Sequence, residues 1–194
     1  MKYNIITISR EYGSGGKAIG KMLAGKLNIP CYDSEIIEKV AEESGFAKEY
    51  IADKGEYASG GYFSSLFRSS SYYHQSNEDI IWSIQIKTIR ELAEKGPCII
   101  VGRCADFILK DRSDVFSVFI SADPDARMKR ITDIYGDTGQ DPEKIIRDRD
   151  KRRSSYYQYY TDLEWGKASN YGICLSSSAL GFEKCAQILY DLCI

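Results

Sequence analysis

The sequence predicts an α/β fold, a parallel sheet of about five strands with helices on both faces. Three observations predict it. Short runs rich in β-branched and aromatic residues recur along the 194-residue chain. Segments with apolar residues at helical spacing separate them, and the first run passes through a glycine-rich turn into one of these segments. Strands alternating with helices imply right-handed crossovers, and so a parallel sheet that takes its ligands at the carboxyl ends of its strands.

Residues 3–8 read as the first strand, and Ile19, Met22, Leu23 and Leu27 mark the helix after it. A short strand follows at 29–32. Ile36, Ile37, Val40 and Ala41 mark a second helix, and Ile80, Ile81, Ile84, Leu92 and Ala93 a third. Runs at 98–101, 115–120 and 171–175 complete the sheet, and a last helix near 182–192 carries Ile188, Leu189 and Leu192. Two stretches break this rhythm, a Gly/Ser/Tyr-rich one at 55–76 and a densely charged helical one at 123–162. Neither has enough apolar residues for a core of its own, so both are expected as mobile excursions from one domain.

Composition narrows the function. The 26 basic and 28 acidic side chains leave a net charge of −2, so no overall field draws the chain to nucleic acid or anionic membrane. The N-terminus lacks a signal-peptide core, and 18 uninterrupted apolar residues occur nowhere, so a cytoplasmic location is expected. Six cysteines (Cys31, Cys98, Cys104, Cys174, Cys185, Cys193) lack C-x-x-C pairing and read as reduced core residues. The single histidine, His74, reads as a surface residue, which leaves little material for histidine-based acid–base or metal chemistry.

The chemistry concentrates in Ser9-Arg10-Glu11-Tyr12-Gly13-Ser14-Gly15-Gly16-Lys17, between strand and helix. Glycines let backbone N–H groups turn inward, and a helix start adds unpaired donors and a positive dipole end, which together suit phosphate. Gly13, Ser14, Gly15, Gly16 and Lys17 are the candidate ATP-binding residues. The standard pattern G-x-x-x-x-G-K-[ST] is not met: Arg10 stands at the first glycine, Gly16 at the lysine, and Lys17 comes one residue late with Ala18 after it. The same glycines would also suit a turn used only for tight packing.

The run Ile6-Thr7-Ile8-Ser9-Arg10-Glu11-Tyr12-Gly13-Ser14-Gly15-Gly16, with Leu27-Asn28-Ile29-Pro30-Cys31-Tyr32-Asp33, resembles the start of the cytidylate-kinase-like family, a divergent branch of the P-loop monophosphate kinases. The resemblance continues through Ile100-Val101-Gly102-Arg103, Phe119-Ile120-Ser121-Ala122-Asp123-Pro124 and Arg147-Asp148-Arg149-Asp150-Lys151-Arg152 to Asn170-Tyr171. It implies a P-loop NTPase-type sheet with its core at about 1–32, 98–126 and 170–194, an acceptor-binding excursion at about 33–95 and an arginine-rich lid at about 127–160. It also implies phosphoryl transfer from ATP, with Mg2+, to a nucleoside monophosphate such as CMP or dCMP.

By that resemblance Asp33 and Ser34 meet the acceptor, Lys39 falls where cytidylate kinases carry a substrate-binding arginine, and Arg103 matches the arginine of their Gly-Arg-Asp turn. A guanidinium can hold an acceptor phosphate in two hydrogen bonds. Asp33 and Ser34 could equally cap the following helix, and Arg103 could cap a strand end at the surface. The cluster Arg127, Arg130, Arg147, Arg149, Arg152 and Arg153 matches the lid, with Lys17, Arg149 and Arg153 as the candidate catalytic residues. Arg149 and Arg153, four residues apart, share a helix face; interleaved Asp148 and Asp150 also allow a solvated ion-paired helix. Cytidylate kinases place an aspartate and a further arginine in the lid where this chain has Arg153 and Tyr156. Tyr156, Tyr157, Tyr159 and Tyr160 suit packing with Trp165 better than base stacking.

A chain poor in histidine and rich in arginine suits phosphoryl transfer, which runs on positioning and charge neutralisation. Two alternatives stand beside it: a degenerate kinase that binds a nucleotide without turnover, and a P-loop kinase for a different small acceptor. The expected partners are ATP and a small nucleotide acceptor.

Overall fold

Strand β1 (Ile5–Arg10) is enclosed on both faces: Ile5, Ile6 and Ile8 are fully buried, and Thr7 and Ser9 are buried with them. The computed structural model describes residues 1–48, 51, 76–136 and 141–194. Around β1 lie β2 (Cys31–Tyr32), β3 (Cys98–Val101), β4 (Val115–Ser121) and β5 (Ile173–Ser176), in the order β2-β3-β1-β4-β5. All pairings are parallel, with Ile6 beside Ile99 on one side and Phe116 on the other. β1 feeds edgeward to β2 and β3, and the chain then crosses to β4 and β5. The order reverses at β1, and the crevice at its carboxyl end is the position where open α/β sheets bind ligands.

The two-residue period of the strands divides the core. Ile5, Cys98 and Ile100 face α2 (Ser34–Ser44) and α3 (Asn77–Glu94), packing on Val40, Ile81, Ile89 and Leu92. Ile6, Ile8, Ile99 and Val101 face α1 (Gly16–Leu27) and α8 (Phe182–Cys193), meeting Ile19, Leu23, Cys185 and Leu189. Among the described residues, further helices are α4 (Ala105–Ile108), α5 (Pro124–Tyr135), α6 (Pro142–Thr161) and α7 (Ser177–Leu180).

Most of the expected elements are present, with local shifts. The first strand starts at Ile5, while Tyr3 stacks on Phe116 with ring centroids 4.8 Å apart. Met22 and Leu192, which fit the helical pattern, are 37% and 43% exposed, because α1 and α8 pack on each other along a narrower stripe than the sequence pattern spans. All six cysteines are free; Cys98, Cys104, Cys185 and Cys193 are buried, Cys31 is half-buried, and Cys174 is exposed, so the core reading fails for Cys174. The charged stretch resolves into α5 and α6, and the second half of α6 belongs to the core: Tyr156 and Tyr157 are buried and Tyr160 stacks on Trp82 at 4.2 Å. The Gly/Ser/Tyr-rich stretch and His74 lie outside the described residues, except for Ser76, whose hydroxyl caps α3 by accepting from the Asp79 N–H. Among the described residues no helix is long and apolar enough to cross a membrane.

Leu23 and Met22 are neighbours with opposite environments, fully buried and 37% exposed. Leu23→Ala is expected to cost about 2–5 kcal/mol of unfolding free energy in urea titration. Met22→Ala is expected to cost about 0.5 kcal/mol or less.

Candidate phosphate-binding site

At the carboxyl end of β1 the chain turns through Glu11 to Gly15 into α1. Gly13 and Gly15 adopt positive φ (80° and 82°), and a β-carbon at Gly15 would sit 2.3 Å from the Phe182 ring, so this turn requires glycine. Ser14 donates its hydroxyl to the Glu11 carbonyl (2.9 Å), and Ser177 at the start of α7 donates to the Ser14 carbonyl (2.6 Å). Arg10, Tyr12, Gly13, Gly15, Gly16, Lys17 and Ala18 line a cleft of about 390 Å3 together with Arg130 and Arg153. A second cleft of about 310 Å3 shares Gly13, Arg130 and Ile134 with the first and continues to Ser177, Ser178 and Phe182.

The turn is clamped from α5 and α6. Arg127, only 6% exposed at its side chain, donates from Nε to the Tyr12 carbonyl (2.7 Å), lies 3.3 Å from the Glu11 carboxylate and pairs with Asp150. Asp150 in turn accepts from the Tyr12 N–H (2.8 Å), and Glu11 from the Ala122 N–H (3.0 Å). Arg127 therefore holds the loop in place from beneath, instead of reaching over the cleft. The expected shared face of Arg149 and Arg153 is present: their guanidinium carbons stand 5.8 and 5.5 Å from the centre of the Tyr12 ring. Arg153 also donates to the Arg10 carbonyl (3.0 Å). Arg130 lies 4.4 Å over the Phe182 ring, while Arg147 and Arg152 are exposed.

Lys17 does not lie back along its own loop. Its Nζ is 2.6 Å from Asp33 Oδ2 at the end of β2, and this hydrogen bond holds the Lys17 ammonium above its ordinary pKa. Asp33 therefore makes no side-chain cap on α2; the Glu35 carboxylate accepts from the Asp33 N–H (3.0 Å) instead, and this bond lowers the Glu35 pKa. Ser34 is exposed at the first turn of α2. Lys39 sits further along α2, where it faces Glu91 of α3 (3.7 Å) and lines neither cleft.

Arg103 is not a surface arginine capping a strand end. It follows β3 in a turn where Gly102, Arg103 and Cys104 all have positive φ (75°, 60° and 54°), an unfavourable backbone state for the two non-glycine residues. The residue is 5% exposed, and its Nη1 is a buried donor with no hydrogen-bond partner among the described residues. Such groups are rare in folded proteins and are met by a bound water, an ion or a ligand. Arg103 lines a small cavity with Ser9, Tyr156, Tyr157 and Trp165; Arg10 and Arg153 line both this cavity and the main cleft. Gln85 fixes the Arg103 carbonyl from Nε2 (3.1 Å) and also contacts the Tyr156 hydroxyl (3.2 Å), so Tyr156 supports the turn.

Beneath the turn lies Asp106, which motif reading passed over. It is buried and accepts from the Tyr157 hydroxyl (2.7 Å), with Ser9 Oγ at 3.5 Å. Removal from water raises its pKa despite these hydrogen bonds, and the neighbouring carboxylate in turn adds to the burial that raises Tyr157.

The five-stranded parallel sheet with its flanking helices has the fold of P-loop kinases. The chain belongs to the cytidylate kinase-like family, whose model matches residues 5–179. Among solved structures it is similar to an uncharacterized protein from Eubacterium ventriosum ATCC 27560, with 28% identity, 97% of each chain covered and a TM-score of 0.71. Its fold is shared by shikimate kinase from Bacteroides thetaiotaomicron (16% identity, 97% of each chain, TM-score 0.58). A gluconokinase from Sinorhizobium meliloti 1021 shares it too (14% identity, 98% of this chain and 93% of that one, TM-score 0.57). No curated protein matches the chain.

Because the folded state binds the Asp106 proton more tightly than the unfolded chain, Asp106 favours folding in acid. That contribution is lost as pH rises from 3.8 through the raised folded value. The melting temperature of Asp106→Asn minus that of the unaltered protein is therefore expected to increase between about pH 4 and about pH 8. Calorimetry across that range checks the sign.

Proposed function

We propose that the protein transfers the γ-phosphoryl group of magnesium-ATP to a phosphate oxygen of a nucleoside monophosphate, with CMP and dCMP as the leading acceptors. The observation that carries this reading is Arg103, a buried guanidinium with an N–H unmatched among the described residues, in a cavity whose walls share Arg10 and Arg153 with the glycine-loop cleft. Two anion sites joined by arginines suit two phosphates held in line.

In this reading Gly13 to Gly16 cradle the donor phosphates with backbone N–H groups, and the base and ribose extend into the second cleft toward Ser178 and Phe182. Arg103 holds the acceptor phosphate. An acceptor oxygen attacks the γ-phosphorus, the bond to the β–γ bridging oxygen breaks, and ADP leaves with that electron pair. A phosphate dianion has no proton to give up, which suits a chain with a single histidine. Lys17, Arg149 and Arg153 neutralise the equatorial oxygens, with Lys17 exchanging Asp33 for phosphate as the nucleotide enters. Asp33 and Ser34 then face the acceptor, whereas Lys39 needs α2 to shift before it can reach one.

Among the described residues the loop offers magnesium no ligand at the usual hydroxyl position. Ala18 has no hydroxyl, and among the described residues no group of three or more His, Cys, Asp or Glu could hold a metal ion. Magnesium belongs to the substrate complex with ATP. The missing hydroxyl and the Lys17–Asp33 pair favour a second reading, a nucleotide binder without turnover. A different small acceptor is the third possibility, since the fold also serves kinases of other substrates.

Incubation with magnesium-ATP and CMP, dCMP or UMP, plus non-nucleotide hydroxy acids, is expected to give a diphosphate from one pyrimidine nucleotide. Lys17→Ala and Arg103→Ala are each expected to lower kcat/KM for that acceptor by about a hundredfold or more. Thermal stabilisation by ATP without any product would establish the binder instead. Product from a hydroxy acid alone would replace the nucleotide acceptor.

A further inference from the structure

Gly16 occupies the lysine position of the standard loop, and the structure gives a physical reason. A β-carbon at Gly16 would stand 2.6 Å from Arg10 Cβ and 3.0 Å from Arg10 Cγ. Carbon atoms pack at about 3.5–4.0 Å, so no side chain can start from position 16 while the Arg10 stem lies there. The two departures from the standard motif, arginine for the first glycine and glycine for the lysine, thus occupy one volume. Arg10 is absent from the positive-φ residues, so the first loop position does not demand glycine here.

We propose that Arg10 carries the phosphate-facing charge that a standard loop draws from its lysine, the two positions having exchanged roles across the turn. This rests on the donor-site reading above and names the residue that completes it. Arg10 lines both the glycine-loop cleft and the Arg103 cavity, its side chain is 12% exposed, and its Nη2 lies 4.0 Å from Asp33 Oδ1. A guanidinium there stands between the proposed donor and acceptor phosphates and can offer two donors to the group in transfer. Lys17 adds its charge from a different direction. One residue along a helix turns the side chain by about 100°, and Lys17 reaches instead to Asp33 across the β2 end, with half its side chain exposed.

The test is a compensating exchange in the full-length chain, read by calorimetric ATP affinity in magnesium and by melting temperature without nucleotide. Arg10→Gly is expected to weaken ATP binding by about ten- to a hundredfold. Gly16→Lys alone is expected to lower the melting temperature, because it collides with Arg10. The double variant Arg10→Gly with Gly16→Lys rebuilds the G-x-x-x-x-G-K spacing, and is expected to recover the melting temperature and most of the lost affinity. Arg10→Met keeps the stem and removes the charge; it is expected to lose affinity like Arg10→Gly and provides the answer if either Gly16→Lys protein fails to fold. ATP affinity unchanged in Arg10→Gly and Arg10→Met overturns the inference while leaving the donor site standing, as does a folded double variant that binds no better than Arg10→Gly. If the unaltered protein binds no ATP, the donor-site reading falls and the inference falls with it.

Discussion

The site is organised around the buried Arg127 guanidinium. It joins the Tyr12 carbonyl, the Glu11 carboxylate and Asp150, and so ties the loop after β1 to α5 and α6 through one group. A cation at 6% side-chain exposure is tolerable only because two carboxylates and a carbonyl surround it. Asp150 returns the constraint by accepting from the Tyr12 N–H. The backbone of the glycine turn is thereby set before any ligand arrives, which is the condition for electrostatic preorganisation.

The sheet order sets where that turn can work. β1 lies between β3 and β4, so the glycine turn, the Arg103 turn after β3 and the Glu11–Ala122 contact after β4 converge on one crevice. Arg103 stays in its unfavourable backbone state because Gln85, Tyr156 and the Asp106–Tyr157 bond pack around it. Strain of this kind persists where the surroundings over-determine it, commonly at functional sites. Helix α6 serves both ends of the crevice. Its first half brings Arg149 and Arg153 to Tyr12, and its second half is an aromatic wedge that anchors the helix against Trp82 and Cys104. An arginine-bearing segment fixed at one end can place its charges over the cleft without a separate folded unit.

Cytidylate kinase-like membership sets the class, and the proposed acceptor chemistry follows from the arginines rather than from the fold. Sheets of the same topology carry kinases with unlike substrates. In this chain the charge around the crevice is mostly guanidinium, with Arg10, Arg103, Arg149 and Arg153 all lining it or stacked beside it. Guanidinium keeps its charge at every relevant pH and matches planar pairs of phosphate oxygens.

The sequence by itself determined the alternating architecture, because apolar runs of strand length between helix-period segments admit few other packings; residue type located the glycine turn, and the family resemblance pointed to Gly102-Arg103. It could not separate the arginines. Arg127 and Arg149 look alike in a charged run, yet one is buried in a clamp and the other rests on Tyr12, a difference set by which face of α5 or α6 meets the loop. Nor could it show Ser177 against Ser14, Tyr157 against Asp106, or the Arg10 stem over Gly16, since each contact joins separate elements or opposite ends of a turn. Periodicity records how a segment meets water; which charged groups meet one another depends on the packing of distant segments, and only the tertiary structure decided that.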